Sequence, residues 1–130
     1  MELHADLPEE EKKSQPPGEQ NIVLTPVEVQ ILYKIQHYID HNLEEKLTIP
    51  LLAKQYHIGT THLKLGFKQY FNSTIYQYIL HRRMERAKFL LEAGMRVRQV
   101  AAETGYSLTG FSKIFKQYTG VSPLSYRKKK

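Results

Sequence analysis

The tetrapeptide Phe-Lys-Gln-Tyr occurs twice, at residues 67–70 and 115–118, and this repeat constrains the fold more than any other feature of the 130-residue chain. Shifting the sequence by 48 positions pairs residues 49–78 with 97–126, and seven of the 30 pairs are identical. Chance would give about two identities, because a common residue has a frequency of about one in fifteen. We therefore predict that the two stretches are copies of one structural unit.

Each copy has the same internal pattern. A short segment with an aliphatic pair and one alanine comes first, and a polar break typical of a turn and a helix N-cap follows it, Gly-Thr-Thr in one copy and Ser-Leu-Thr in the other. Apolar residues then stand four apart, Leu63 with Phe67 and Phe111 with Phe115, which predicts one buried helix face. Two short helices joined by a tight turn form a helix-turn-helix, whose second helix can lie in a DNA major groove. The other face of each second helix carries basic and hydroxyl side chains: Lys64, Lys68, Ser112, Lys113 and Lys116.

Charge is unevenly distributed along the chain. Residues 1–20 hold six acidic side chains against two lysines, whereas the remaining residues hold 17 basic and 7 acidic side chains, a net charge of +10. Such a basic body favours a polyanionic partner, either nucleic acid or an anionic membrane surface. Because no cysteine is present, disulfides, thiolate zinc sites and cysteine nucleophiles are excluded. The sequence shows no membrane-length apolar run and no signal peptide, so we expect a cytoplasmic location.

The chain divides by composition into a polar start and a helical body. Residues 1–21 are poor in apolar side chains and rich in Pro, Glu and Gln, which predicts a flexible acidic leader or linker. Thr25, Pro26 and Glu28 then form a helix-start signature with a capping box. Apolar residues that include Tyr33 follow at three- and four-residue steps, which predicts an amphipathic helix with one buried face. No long alternating pattern follows, so we predict an all-α fold. The expected parts of the body, residues 22–130, are a first unit at about 25–73, a connector helix at about 74–92 and a second unit at about 95–127.

Several motifs together resemble the AraC/XylS family of bacterial transcription regulators. They are RMERAKFLL, VAAETGYS and FSKIFKQYTGVSPLSYRKKK in the second half, and YIDHNLEEKLTIPLLAKQYHIGTTHLKLGFKQYFNSTIYQYI upstream, so the resemblance covers about residues 27–127. It implies about seven helices, with two helix-turn-helix units joined by a long connector helix. It also implies sequence-specific binding of double-stranded DNA in two successive major grooves, and regulation of transcription, more often activation, with RNA polymerase as a partner.

The resemblance also assigns roles to individual residues. Base reading falls on Thr61, Lys64 and Leu65 in the first unit and on Thr109, Ser112 and Lys113 in the second. Contacts to the DNA backbone fall on Thr60, Lys68, Arg83 and Lys116. The chain departs from the family pattern at Leu65, where a basic residue is often found, and by a second unit that is one residue shorter between Gly105 and Phe115.

Other possibilities stay open from the sequence. Arg82, Arg83 and Arg86 on the connector can contact phosphate or form structural ion pairs. A basic helical body also fits a non-specific or architectural nucleic-acid-binding protein, or an adaptor for an acidic partner. No phosphate-binding loop, nucleophile elbow or paired carboxylates are present, so we expect neither enzyme activity nor a cofactor or metal site. We expect this chain to be monomeric and to be part of a longer regulator, with a small-molecule effector only if a further N-terminal domain exists.

Overall fold

The computed structural model describes residues 21–128, which form seven α-helices in this range. In chain order they are α1 (Pro26–His41), α2 (Ile49–Gln55), α3 (Thr60–Phe71), α4 (Ile75–Glu92), α5 (Val97–Glu103), α6 (Leu108–Thr119) and α7 (Pro123–Lys128). This confirms the all-α prediction. The expected leader falls almost entirely outside the described residues, and the predicted domain boundaries stay a prediction.

The first helix begins where its capping signature predicts. The Thr25 amide donates to Oε1 of Glu28 at 3.0 Å, and the Glu28 amide donates to Oγ1 of Thr25 at 3.1 Å. Pro26 is the first helical residue, where its missing N–H costs nothing because no intrahelical acceptor exists there. The reciprocal bonds satisfy two backbone donors that would otherwise be unpaired at the helix start.

The 48-residue repeat is reproduced in the helix bounds. Helices α2 and α5 start 48 residues apart, as do α3 and α6, and α4 and α7. The turn between the first two helices of each copy has its left-handed residue at the same place, with φ of 55° at His57 and 84° at Gly105. Asn72 and Gly120 end α3 and α6 in the left-handed C-cap conformation, which both residue types tolerate. The repeat is therefore a repeat of structure.

The first compact unit consists of described residues 21–38 and 47–78. Leu63 and Phe67, four residues apart on α3, are fully buried, as the spacing predicted. The Phe67 ring packs edge-on against Tyr78 at a centroid distance of 5.6 Å. Tyr33 differs from the expected buried face of α1: it is 52% exposed and meets Tyr70 and Phe71 edge-on at the surface. A phenol ring can lie half in water because its hydroxyl is polar.

The second compact unit consists of residues 39–46 and 79–128. Phe111 and Phe115 of α6 are fully buried at its centre. The Phe115 ring packs edge-on against Tyr126 at 5.5 Å, which repeats the Phe67–Tyr78 pair of the first unit. The other core residues are Met84, Ala87, Leu90, Leu91, Val100 and Ala101. Phenylalanine of the repeated tetrapeptide is thus a core residue in both copies.

The tyrosines of the tetrapeptide lie near the ends of α3 and α6 and are partly exposed. Tyr70 is 43% exposed and Tyr118 is 40% exposed, so neither is a core residue. The Tyr118 hydroxyl instead lies 2.8 Å from Nδ1 of His81. The repeat therefore preserves two kinds of position, a buried ring and a surface ring near the helix end.

Candidate nucleic-acid interface

Helix α3 presents a polar face opposite its buried residues. Leu63 and Phe67 are directed into the first unit, whereas Thr60, Thr61 and Lys64 are exposed. Leu65 and Lys68 are half-buried. At 100° per residue, positions 61, 64, 65 and 68 share one side of a helix, so the three predicted base-reading residues of this unit lie together with Lys68.

Helix α6 repeats the arrangement in the second unit. Thr109, Lys113 and Lys116 are exposed, and Ser112 is half-buried. These positions correspond to 61, 65, 68 and 64 of α3 after the shift of 48 residues. Of the six predicted base-reading side chains, Leu65 and Ser112 are therefore the two that are partly covered. Lys64 of α3 corresponds to Ser112 of α6, and Leu65 corresponds to Lys113, so the two polar faces carry different side chains at equivalent positions.

The first turns of the two helices are held differently. Ser107 caps α6, since its hydroxyl accepts a hydrogen bond from the Gly110 amide at 3.1 Å. Gly59 stands at the N-cap of α3 without a side-chain bond. A contact from another helix supports α3 instead: Nδ1 of His62 lies 2.8 Å from Oε2 of Glu28. The start of α3 is thereby tied to the capping box of α1.

Glu28 has an altered pKa as a result of this position. The Thr25 backbone amide donates to its carboxylate, and so does the His62 side chain, and both favour the charged form. The pKa of Glu28 is therefore below its ordinary value of 4.5. Sequence reasoning found Glu28 as a capping residue but missed its bond to His62, because the two residues are 34 positions apart and share no periodic pattern.

Arg83 is held by backbone carbonyl groups within the second unit. Its Nε donates to the Leu43 carbonyl at 3.0 Å and its Nη2 to the Glu45 carbonyl at 2.7 Å. The guanidinium also lies 5.2 Å from the centre of the Tyr106 ring, within range of a cation–π interaction. Position 105 has room only for glycine, because a Cβ there would lie 2.7 Å from the Leu43 carbonyl oxygen. Arg83 thus has a structural role, whereas its predicted phosphate contact stays a prediction.

The two neighbouring arginines of α4 form ion pairs. Nε of Arg82 lies 2.9 Å from Asp40, and Nη2 of Arg86 lies 3.5 Å from Glu103. These are the structural ion pairs that the sequence left open as an alternative to phosphate contact. Both pairs are partly exposed, so each contributes little to stability by itself.

A membrane span and a metal site each require a specific arrangement of residues. Within residues 21–128, no helix combines the length and apolar character that a membrane span requires. The same residues contain no group of three or more His, Cys, Asp or Glu side chains placed to hold a metal ion.

Comparison with known proteins places this geometry in a family. A family model described as a helix-turn-helix domain matches residues 52–129. The Msm operon regulatory protein of Streptococcus mutans is 31% identical over 97 residues, which are 73% of this chain and 35% of that protein. The transcriptional activator Btr of Bacillus subtilis is 34% identical over 99 residues, or 75% of this chain and 19% of that protein. The chain therefore spans about a third or less of the length of these relatives.

A solved structure agrees with the sequence relatives. The C-terminal domain of AraT, a response regulator from Geobacillus stearothermophilus, superposes with a TM-score of 0.74 at 27% identity. The match covers 84% of this chain and 89% of that one. Because the match covers 84% of this chain, it extends over both helix-turn-helix units. The chain belongs to the helix-turn-helix family of AraC type, the family that its motifs resemble.

Proposed function

We propose that this chain is a sequence-specific double-stranded DNA-binding domain that regulates transcription, with α3 and α6 as its two recognition helices. The observation that carries the proposal is the repeated arrangement of these helices. Each one buries two apolar side chains in its own unit and presents lysine and hydroxyl side chains on the opposite face. A single basic helix face is common on soluble proteins, but the same face in two copies favours a tandem DNA-binding role.

The side chains of the two faces divide into base-reading and backbone-binding roles. Lys64 and Lys113 can donate to O6 and N7 of guanine, and the threonine methyl groups of Thr61 and Thr109 can contact thymine. Ser112 can bond to either kind of base edge, and Leu65 can make apolar contact only. The residues proposed for phosphate contact are Thr60, Lys68, Arg83 and Lys116. Because the lysines occupy non-equivalent positions, the two units should prefer different base sequences.

The wider role rests on the relatives. Because the family is one of transcription regulators and Btr is named an activator, we propose that the chain acts in the cytoplasm as the DNA-binding part of a bacterial activator. RNA polymerase is its proposed protein partner, and the domain binds DNA as a monomer whose two units read successive major grooves. In this account the chain is not an enzyme, and any small-molecule effector binds to another domain of a longer protein.

Selection of bound sequences from a random duplex pool at near-physiological salt tests the proposal. We expect enrichment of two short motifs about one helical turn apart, one for each recognition helix. A dedicated sequence-specific protein should bind the enriched duplex roughly a thousandfold or more tightly than random duplex at the same salt. Binding without enrichment, with an affinity that depends only on salt, would instead indicate a non-specific nucleic-acid-binding protein.

A further inference from the structure

The two recognition helices differ in what lies against them. The Gln69 side chain, near the end of α3, forms two hydrogen bonds with the backbone of Ile22. The Ile22 amide donates to Oε1 of Gln69 at 2.8 Å, and Nε2 of Gln69 donates to the Ile22 carbonyl at 3.0 Å. One side-chain amide thus satisfies both backbone groups of a residue that is 47 positions away. We call residues 22–24 the strap.

Helix α3 has a notch where the strap lies. A Cβ on Gly66 would be 3.2 Å from Cδ1 of Leu24, which is a tight contact. Glycine inside a helix costs about 1 kcal/mol relative to alanine, so its presence in the middle of α3 is unfavourable for the helix alone. Two side chains approach this position closely, Leu24 of the strap and Leu32 of α1, whose Cδ1 would lie 3.3 Å from the Cβ. Within the strap, Ile22 and Leu24 are half-buried, whereas Val23 between them is 91% exposed.

Helix α6 lacks this arrangement in the part of the chain that the structure describes. Ile114 occupies the position of Gly66, and its side chain is partly buried against the core of the second unit. Gln117 occupies the position of Gln69 and is exposed. The repeat therefore has the same glutamine in both copies, but among the described residues only the first copy binds a preceding segment of chain with it.

We propose that Gln69 and Leu24 are positioning residues for the first recognition helix. By holding the strap on α3, they make the DNA contacts of the first unit depend on the chain that precedes residue 22. Within residues 21–128 the second unit has no equivalent connection, so a signal carried by that preceding chain changes the affinity of one half-site only, where a half-site is the DNA segment that one unit reads. This inference rests on the proposed function.

The test compares Gln69→Ala with Gln117→Ala in the full 130-residue chain. These variants remove the same side chain from equivalent helix positions, and only the first removes the strap contact. Leu24→Ala and its exposed neighbour Val23→Ala form a second matched pair. Affinity is measured on an enriched duplex and on versions with one half-site scrambled, and Lys64→Ala identifies the half-site of the first unit. Hydrogen exchange of the Ile22 amide reports directly whether the strap is held.

For Gln69→Ala and Leu24→Ala we expect faster exchange at Ile22. We also expect DNA binding to be about three- to tenfold weaker, and only on duplexes with an intact first half-site. This magnitude corresponds to the loss of one or two ordinary hydrogen bonds. The control variants should leave that half-site's contribution unchanged. If the strap is released but the affinity for the first half-site stays at the wild-type value, the positioning role is wrong. If hydrogen exchange at Ile22 is unchanged, the contacts that hold the strap on α3 are wrong. If no duplex is enriched, the proposed function fails, whereas the exchange measurement still shows separately whether the strap is held.

Discussion

Gly105 provides the sharpest test of how the second unit is built. Replacement by alanine has two costs. The residue has a φ of 84°, where a side chain costs about 1–2 kcal/mol. The new methyl group would also lie 2.7 Å from the Leu43 carbonyl oxygen and 2.9 Å from Nη2 of Arg83. Relieving such a contact requires movement of backbone or of a bound guanidinium, at about 1–3 kcal/mol. We expect Gly105→Ala to lower the free energy of unfolding by about 2–5 kcal/mol, the sum of these two ranges.

Gly94→Ala is the matched control for the free-energy cost of placing alanine in a left-handed backbone conformation. Its φ of 96° is similarly unfavourable for alanine, but no heavy atom of the described residues lies within 4 Å of the new Cβ, apart from its chain neighbours. Both substitutions also reduce the entropy of the unfolded chain equally. The difference between the two variants in urea unfolding therefore isolates the steric contact, and we expect it to be about 1–3 kcal/mol with an unchanged m-value. Equal unfolding midpoints for Gly94→Ala and Gly105→Ala would refute the close packing of Gly105 against Leu43 and Arg83.

Three further predictions follow from single side chains. Lys113→Ala should change preference at one or two base pairs of the selected sequence, whereas Lys116→Ala should weaken all duplexes alike and reduce the salt slope by about one unit, as anisotropy titrations over a salt series would show. A similar loss of preference in both variants would contradict the division of roles. The Tyr126 hydroxyl donates to Glu92, which raises the pKa of Tyr126 to about 12 from 10.0, so its contribution to stability is present below pH 10 and lost as the pH rises toward 12. Tyr126→Phe should therefore be less stable than the wild type at neutral pH, and the difference should shrink over that alkaline range in urea unfolding. The lowered pKa of Glu28 means that its charge stabilises the fold above pH 4.5 and loses that effect as the pH falls below it. Glu28→Gln keeps a capping acceptor, so it should weaken this acid dependence of the unfolding midpoint, and an unchanged pH profile would contradict the assignment.

Local and periodic features of this fold are predictable from the sequence. The capping box at Thr25 and Glu28 involves neighbours along the chain, and the buried pair Leu63 and Phe67 follows from helical spacing. The register of the repeat then predicts the equivalent features of the second unit, including the C-cap at Gly120. Each of these requires only the geometry of one helix.

Contacts between distant residues were not predictable in the same way. The bonds from Gln69 to Ile22 and from Arg83 to the carbonyl groups of Leu43 and Glu45 join residues at least 38 positions apart, with no periodic pattern to indicate them. Arg83 shows the consequence most clearly. The family resemblance implied phosphate contact for it, and that role stays a prediction, whereas the sequence alone does not reveal the backbone carbonyl oxygens that bind its guanidinium.

Cleavage of DNA from labels on the two helices would test the tandem-recognition account most directly. The chain has no cysteine, so Thr60→Cys and Leu108→Cys each give a single attachment site for an iron chelate, at the first residue of α3 and of α6. On a selected duplex, the account predicts cleavage centred at two different places about one helical turn apart, one for each label. Cleavage at the same place from both labels, or from one label alone, would contradict the claim that both helices enter the DNA.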